Sequence, residues 1–118
     1  MRAICTALAA AAVALALTAG ASPMASPKLN GTVGPGFTIS MKRGLAPVRV
    51  LRAGFYNITV ADRSSIHNFV IEGPGLDRSV TTVGFTGTKT VRIHLRRGTY
   101  KYYCRPHEST MHGSFRVT

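Results

Sequence analysis

Cys104, His107 and Met111 fall within one short segment, CRPHESTM (104–111), directly after the strand-like run Thr99–Tyr103. His67 lies far upstream in a second strand-like run, Ile66–Val70. A thiolate, two imidazoles and a thioether are the donor set of a mononuclear electron-transfer copper site. The soft sulfurs favour Cu(I), the imidazoles accommodate both oxidation states, and a long axial thioether leaves the potential tunable. Cys104 and His107 are separated by two residues, a spacing that a tight loop beyond a strand end can fold around one ion. Pro106 stiffens that loop and removes a backbone donor just before the histidine. A loop alone would give a loose three-donor site, so His67, on a separate strand, is expected to cross-link it to the opposite part of the fold.

The elements that must position these residues read as short strands. Candidates are Phe37–Lys42, Val48–Leu51, Tyr56–Ala61, Asn68–Glu72, Val80–Val83, Thr88–Leu95, Thr99–Cys104 and Ser114–Thr118, punctuated by glycine and proline. Segments of this kind at 8–12-residue spacing, with no amphipathic helical stretch, predict an all-β sandwich or barrel. In Val91–Arg96 the alternation turns Val91, Ile93 and Leu95 one way and Arg92, His94 and Arg96 the other, which sets His94 on a solvated face and away from the donor set. In Tyr100–Cys104 the same period puts Tyr100, Tyr102 and Cys104 on one face, so the thiol is expected to point inward. Asn68, beside His67, is placed to hydrogen-bond across to the backbone next to Cys104. Tyr100, just after Gly98, is a candidate corner tyrosine.

The first residues stand apart. Met1-Arg2 is a short positive start, Ala7–Ala19 is an alanine-rich apolar run, and Ala19-Gly20-Ala21 has the small-x-small pattern of a signal-peptidase site. The expected organisation is a signal peptide over 1–21, a flexible lead-in over 22–36 that turns to strand near Val33, and one domain over 37–118. An uncleaved N-terminal anchor is the alternative. Export would place the protein in the periplasm, outside the cell or on its surface. Cleavage would remove Cys5 and leave Cys104 as the single cysteine. In an oxidising compartment a lone thiol is a liability or a ligand, and metal coordination would protect it.

Without Arg2 the chain keeps 14 Lys and Arg against Asp62, Glu72, Asp77 and Glu108. So basic a domain implies an anionic partner: an acidic docking surface on a redox protein, or an anionic membrane surface. The basic residues form no dense run and accompany no recognition-helix or aromatic RNA-binding motif, which argues against nucleic acid.

HNF (67–69), GTYKYYCRPHESTMHGSFRVT (98–118) and the GPGFTIS opening (34–40) together resemble the small blue-copper proteins, the cupredoxins, in particular the plastocyanin/azurin/amicyanin group. The resemblance implies a Greek-key β-sandwich of about seven to eight strands. It also implies one type 1 copper and outer-sphere shuttling of single electrons between larger redox partners by a monomer that is not an enzyme. By resemblance the equatorial imidazoles are His67 and His107, the thiolate is Cys104, the axial thioether is Met111, and His107 is the electron exit. One departure leaves a choice open. Family loops that start Cys-x-x-His often carry four residues before the axial donor, which here lands on His112. Met111 keeps Met-x-Gly immediately before the last strand. A copper-carrying or copper-buffering protein is the competing reading, although exchangeable Met/His-rich tracts are absent from the sequence. A multicopper enzyme would need His-x-His clusters, and none of the four histidines has that spacing.

Overall fold

A computed structural model describes Ala11 and residues 25–118. The expected leader therefore lies outside the described residues apart from Ala11. Among the described residues, no helix is long and apolar enough to cross a membrane.

The described residues form ten strands: β1 (Lys28–Val33), β2 (Ile39–Arg43), β3 (Ala46–Pro47), β4 (Val50–Leu51), β5 (Gly54–Asp62), β6 (Val70–Gly73), β7 (Leu76–Ser79), β8 (Gly87–Leu95), β9 (Gly98–Tyr103) and β10 (His112–Val117). They pair into two five-stranded sheets, ordered β3-β2-β1-β5-β8 and β4-β10-β9-β6-β7. Two contacts are parallel, β1 with β5 and β4 with β10, and the rest are antiparallel. The all-β sandwich expected from the strand spacing is thus observed.

Alternation builds the core between the sheets. Tyr56, Ile58 and Val60 of β5 point inward with Leu29, Val33, Met41, Ile93 and Leu95 of the same sheet. Ile71, Tyr100, Phe115 and Val117 meet them from the other sheet, with Cys104 and Met111 in the same cluster.

Three sequence expectations are corrected. The described residues hold ten strands, because the two-residue edge strand β3 and the polar β7 carry no hydrophobic signal. The flexible lead-in contains β1, which starts at Lys28 and buries Leu29 and Val33 against β5. Its Gly and Pro content masked a strand held by parallel pairing. Val80–Val83 is not a strand: after β7 the chain bends, and the Val80 and Thr81 amides both donate to the Phe69 carbonyl, at 2.8 and 3.4 Å.

Tyr100 has the corner role anticipated for it. Its hydroxyl accepts from the Arg96 amide at 2.8 Å and donates to the Pro74 carbonyl at 2.9 Å, locking the β8–β9 connection to the β6–β7 turn. Its ring lies against Gly73, where any Cβ would collide with it. Tyr100→Phe removes both bonds and leaves their partners unpaired in a part-buried site. A loss of about 1–3 kcal/mol is expected, read as a lower urea midpoint at an unchanged slope.

Candidate metal centre

All four sequence-singled residues arrive at one end of the sandwich, where β5–β6, β7–β8 and β9–β10 are connected. Cys104 continues the extended path of β9 for one residue and starts the 3₁₀ turn Arg105–His107, with Pro106 inside it. The turn is closed by its own backbone. The His107 amide donates to the Cys104 carbonyl at 3.1 Å, the Met111 amide to the His107 carbonyl at 2.8 Å, and the Cys104 amide to the Met111 carbonyl at 3.0 Å. Cys104, His107 and Met111 are therefore fixed to one another before any ion is considered.

His67 comes from the β5–β6 connection and is buried. Asn68 joins the two segments as expected: its Oδ1 accepts the Arg105 amide at 2.8 Å. On the following residue, the Phe69 amide donates to Thr81 Oγ1 at 2.9 Å, which fastens the same segment to the β7–β8 connection.

The donor atoms converge. Cys104 Sγ stands 3.6 Å from Nδ1 of His67 and 3.6 Å from Nδ1 of His107, and the two Nδ1 atoms are 3.0 Å apart. A point equidistant from the three lies about 2.0 Å from each, close to the bond lengths of a first-row metal to imidazole. His67 Nε2 is buried with no hydrogen-bond partner, so the ring is oriented by the atom it turns towards Sγ. Among the described residues, His67, Cys104 and His107 are the group of His, Cys, Asp and Glu side chains arranged to hold a metal ion. The residues fit a thiophilic ion that also accepts imidazole, as copper does.

Met111 is fully buried beside this group, in the core cluster with Cys104. His112 is exposed, and its Nδ1 donates to the Glu108 carbonyl at 2.7 Å. His94 is remote, exposed on β8 and stacked on Phe55 at 4.5 Å between ring centroids.

Sequence reasoning missed Phe37. Its ring is 59% exposed and meets both imidazoles edge-on, 5.1 Å from His67 and 4.9 Å from His107. The β1–β2 turn lifts it there: Gly34 has φ 67°, a conformation natural to glycine, and its amide closes the turn on the Thr38 carbonyl at 2.8 Å. Only tertiary structure brings residue 37 to residue 107, so no local pattern could reveal it. Ile66, next to His67, is also exposed, as is Val83, whose neighbour Gly84 donates its amide to the Ser65 carbonyl at 2.8 Å. Phe37, Ile66 and Val83 thus form an apolar rim at the end where half-buried His107 reaches solvent.

A profile of the copper-binding proteins of the plastocyanin/azurin family matches residues 50–118, more than half of the chain. The chain belongs to that family. The converging His67, Cys104 and His107 fit its single type 1 copper. Among solved structures, this cupredoxin is similar to rusticyanin from Thiobacillus ferrooxidans (22% identity, TM-score 0.53, covering 77% of this chain and 76% of that one). It is likewise similar to a reduced amicyanin variant (17% identity, TM-score 0.51, covering 81% and 87%). Both likenesses concern the fold. Comparison with curated protein sequences gave no significant match.

Ionic contacts around the cupredoxin site lie on its outer face. Lys101 pairs with Glu108 at 2.8 Å and Glu72 at 3.9 Å, and Arg105 with Asp77 at 3.6 Å. All are exposed and contribute little to stability. The hydrogen bond to Glu108 raises the pKa of Lys101. Burial raises that of Tyr102. Burial, and then donation to Glu72 at 2.7 Å, raise that of Tyr103. Tyr102 and Tyr103, in the strand leading to Cys104, are thereby held in the neutral phenol form.

Proposed function

We propose that this cupredoxin is an exported one-electron carrier, with no catalysis of its own, that holds its copper through His67, Cys104 and His107 with Met111 as axial donor. The observation that carries the reading is the convergence of three donor atoms from two separately anchored segments. When bound, the copper supplies a one-electron Cu(I)/Cu(II) couple.

The chain's own residues keep that couple fast and enclosed. The hydrogen-bonded 104–111 turn and the Asn68–Arg105 bridge hold the donors in one geometry, which limits rearrangement between oxidation states. Phe37 and Met111 exclude water from the donor group. The half-buried His107 ring, under its apolar rim, is the route by which an electron leaves towards a docked redox protein. Burial of His67, Cys104 and Met111 supports this reading over copper carriage, which calls for exchangeable, exposed donors.

The test is a visible and EPR spectrum of the protein loaded with one Cu(II). An intense thiolate-to-copper band towards the red end of the visible range is expected. A fully loaded but colourless protein would refute the type 1 assignment.

A further inference from the structure

The charge of this domain is unevenly placed. All three ion pairs among the described residues use Lys101 or Arg105, on the β9 side of the second sheet. The pole opposite the metal centre has none. There Arg43 ends β2, Arg52 precedes β5, Arg96 and Arg97 connect β8 to β9, and Arg116 lies near the end of β10, all exposed. Arg43 and Arg52 line a cleft of about 730 Å³, Arg97 and Arg116 line another of about 360 Å³, and Thr118 belongs to both. The arginines thus border one continuous surface.

That surface also exposes apolar side chains. Leu45, on the turn after Arg43, is 96% exposed, and Val50 and Phe55, in the larger cleft, are 53% and 49% exposed. Arg92 lies over the Phe55 ring at 4.4 Å, beside His94. A redox protein has to reach His107 at the other end, and these arginines would draw an acidic one to the wrong pole. Nucleic acid or a soluble polyanion would explain the charge but not Leu45. An anionic bilayer explains both, because phosphates pair with arginine while protruding apolar side chains enter the headgroup–acyl boundary.

We infer that the arginine pole is a docking surface for an anionic phospholipid membrane, which holds the domain with its metal end turned outward. The segment preceding Lys28 reaches the domain at this same pole, since Pro27 lines the larger cleft and its carbonyl accepts the Asn57 amide at 2.9 Å.

The test is co-sedimentation of the copper-loaded full chain with vesicles of phosphatidylcholine alone, or of phosphatidylcholine with phosphatidylglycerol. Binding to the anionic vesicles should be stronger and should fall steeply with salt. Replacing Arg43, Arg52, Arg97 and Arg116 together by Gln should weaken it by about 100-fold or more. Leu45→Ser should weaken it by about ten-fold. Gln at Arg63 and Lys89, near the metal end, should leave it nearly unchanged. Equal binding to both vesicle types would overturn the inference, as would a control variant that loses as much as the quadruple one. So would a Leu45→Ser protein that binds like the wild type, or a quadruple variant that keeps vesicle binding and loses only its retention on immobilised polyglutamate, which would assign the pole to an acidic protein.

Discussion

Cys104→Ser, loaded with Cu(II), is expected to be colourless and to bind copper more than 100-fold more weakly, while its far-ultraviolet circular dichroism stays that of the wild type. Residues that merely orient a metal ligand already cost 10–100-fold in affinity when removed, so a proposed direct ligand should cost more. The colour requires a soft sulfur close to the ion, and serine offers a hard oxygen with a high pKa instead. The fold should survive because the anchors of this segment are backbone bonds: the Cys104 amide to the Met111 carbonyl and the His107 amide to the Cys104 carbonyl, at 3.0 and 3.1 Å. The serine hydroxyl replaces a buried thiol of similar size with Nδ1 of His67 and His107 both at hand, so it need not be left unpaired. Metal titration with the visible spectrum as readout decides the matter. A Cys104→Ser protein that keeps an intense red-region band would exclude Cys104 as the thiolate donor.

The site was more legible in the sequence than the scaffold around it. The types and spacing of Cys104, His107 and Met111 survive translation into space because one short turn holds all three. Asn68 could be read because it adjoins His67, and the inward direction of Cys104 followed from strand alternation after Tyr100. What stayed hidden depends on residues distant in sequence. β1 is defined by pairing with β5, which overrides the Gly and Pro content of the segment around it. Phe37 lies over the imidazoles only because the Gly34 turn folds back across the end of the sandwich. Val80–Val83 has the apolar, β-branched look of a strand, yet Val80 and Thr81 spend their amides on the Phe69 carbonyl and serve as a buried brace. The polarity of the charge was equally invisible, since the arginines of the far pole come from four separate connections and strand ends.

The choice between Met111 and His112, which loop length alone leaves open, becomes a sharp experiment once their environments are known. Met111 is buried in the same cluster as Cys104, whereas His112 is exposed and engaged with the Glu108 carbonyl at 2.7 Å. Successive residues entering β10 point to opposite faces, so the backbone would have to slip by one position to exchange them, breaking the pairing of His112 with Tyr103. Met111→Leu nearly conserves volume and should cost less than about 1.5 kcal/mol of stability. It should keep the colour and raise the reduction potential, because a weak donor that favours Cu(II) is lost. A tenfold change in the preference between the two oxidation states corresponds to about 60 mV for one electron, and a rise of at least that size is expected in voltammetry. His112→Ala should leave both spectrum and potential near those of the wild type. The reverse pattern, a silent Met111→Leu and a His112→Ala that alters the colour, would transfer the axial role to His112 and require the strand to enter the sheet in a different register.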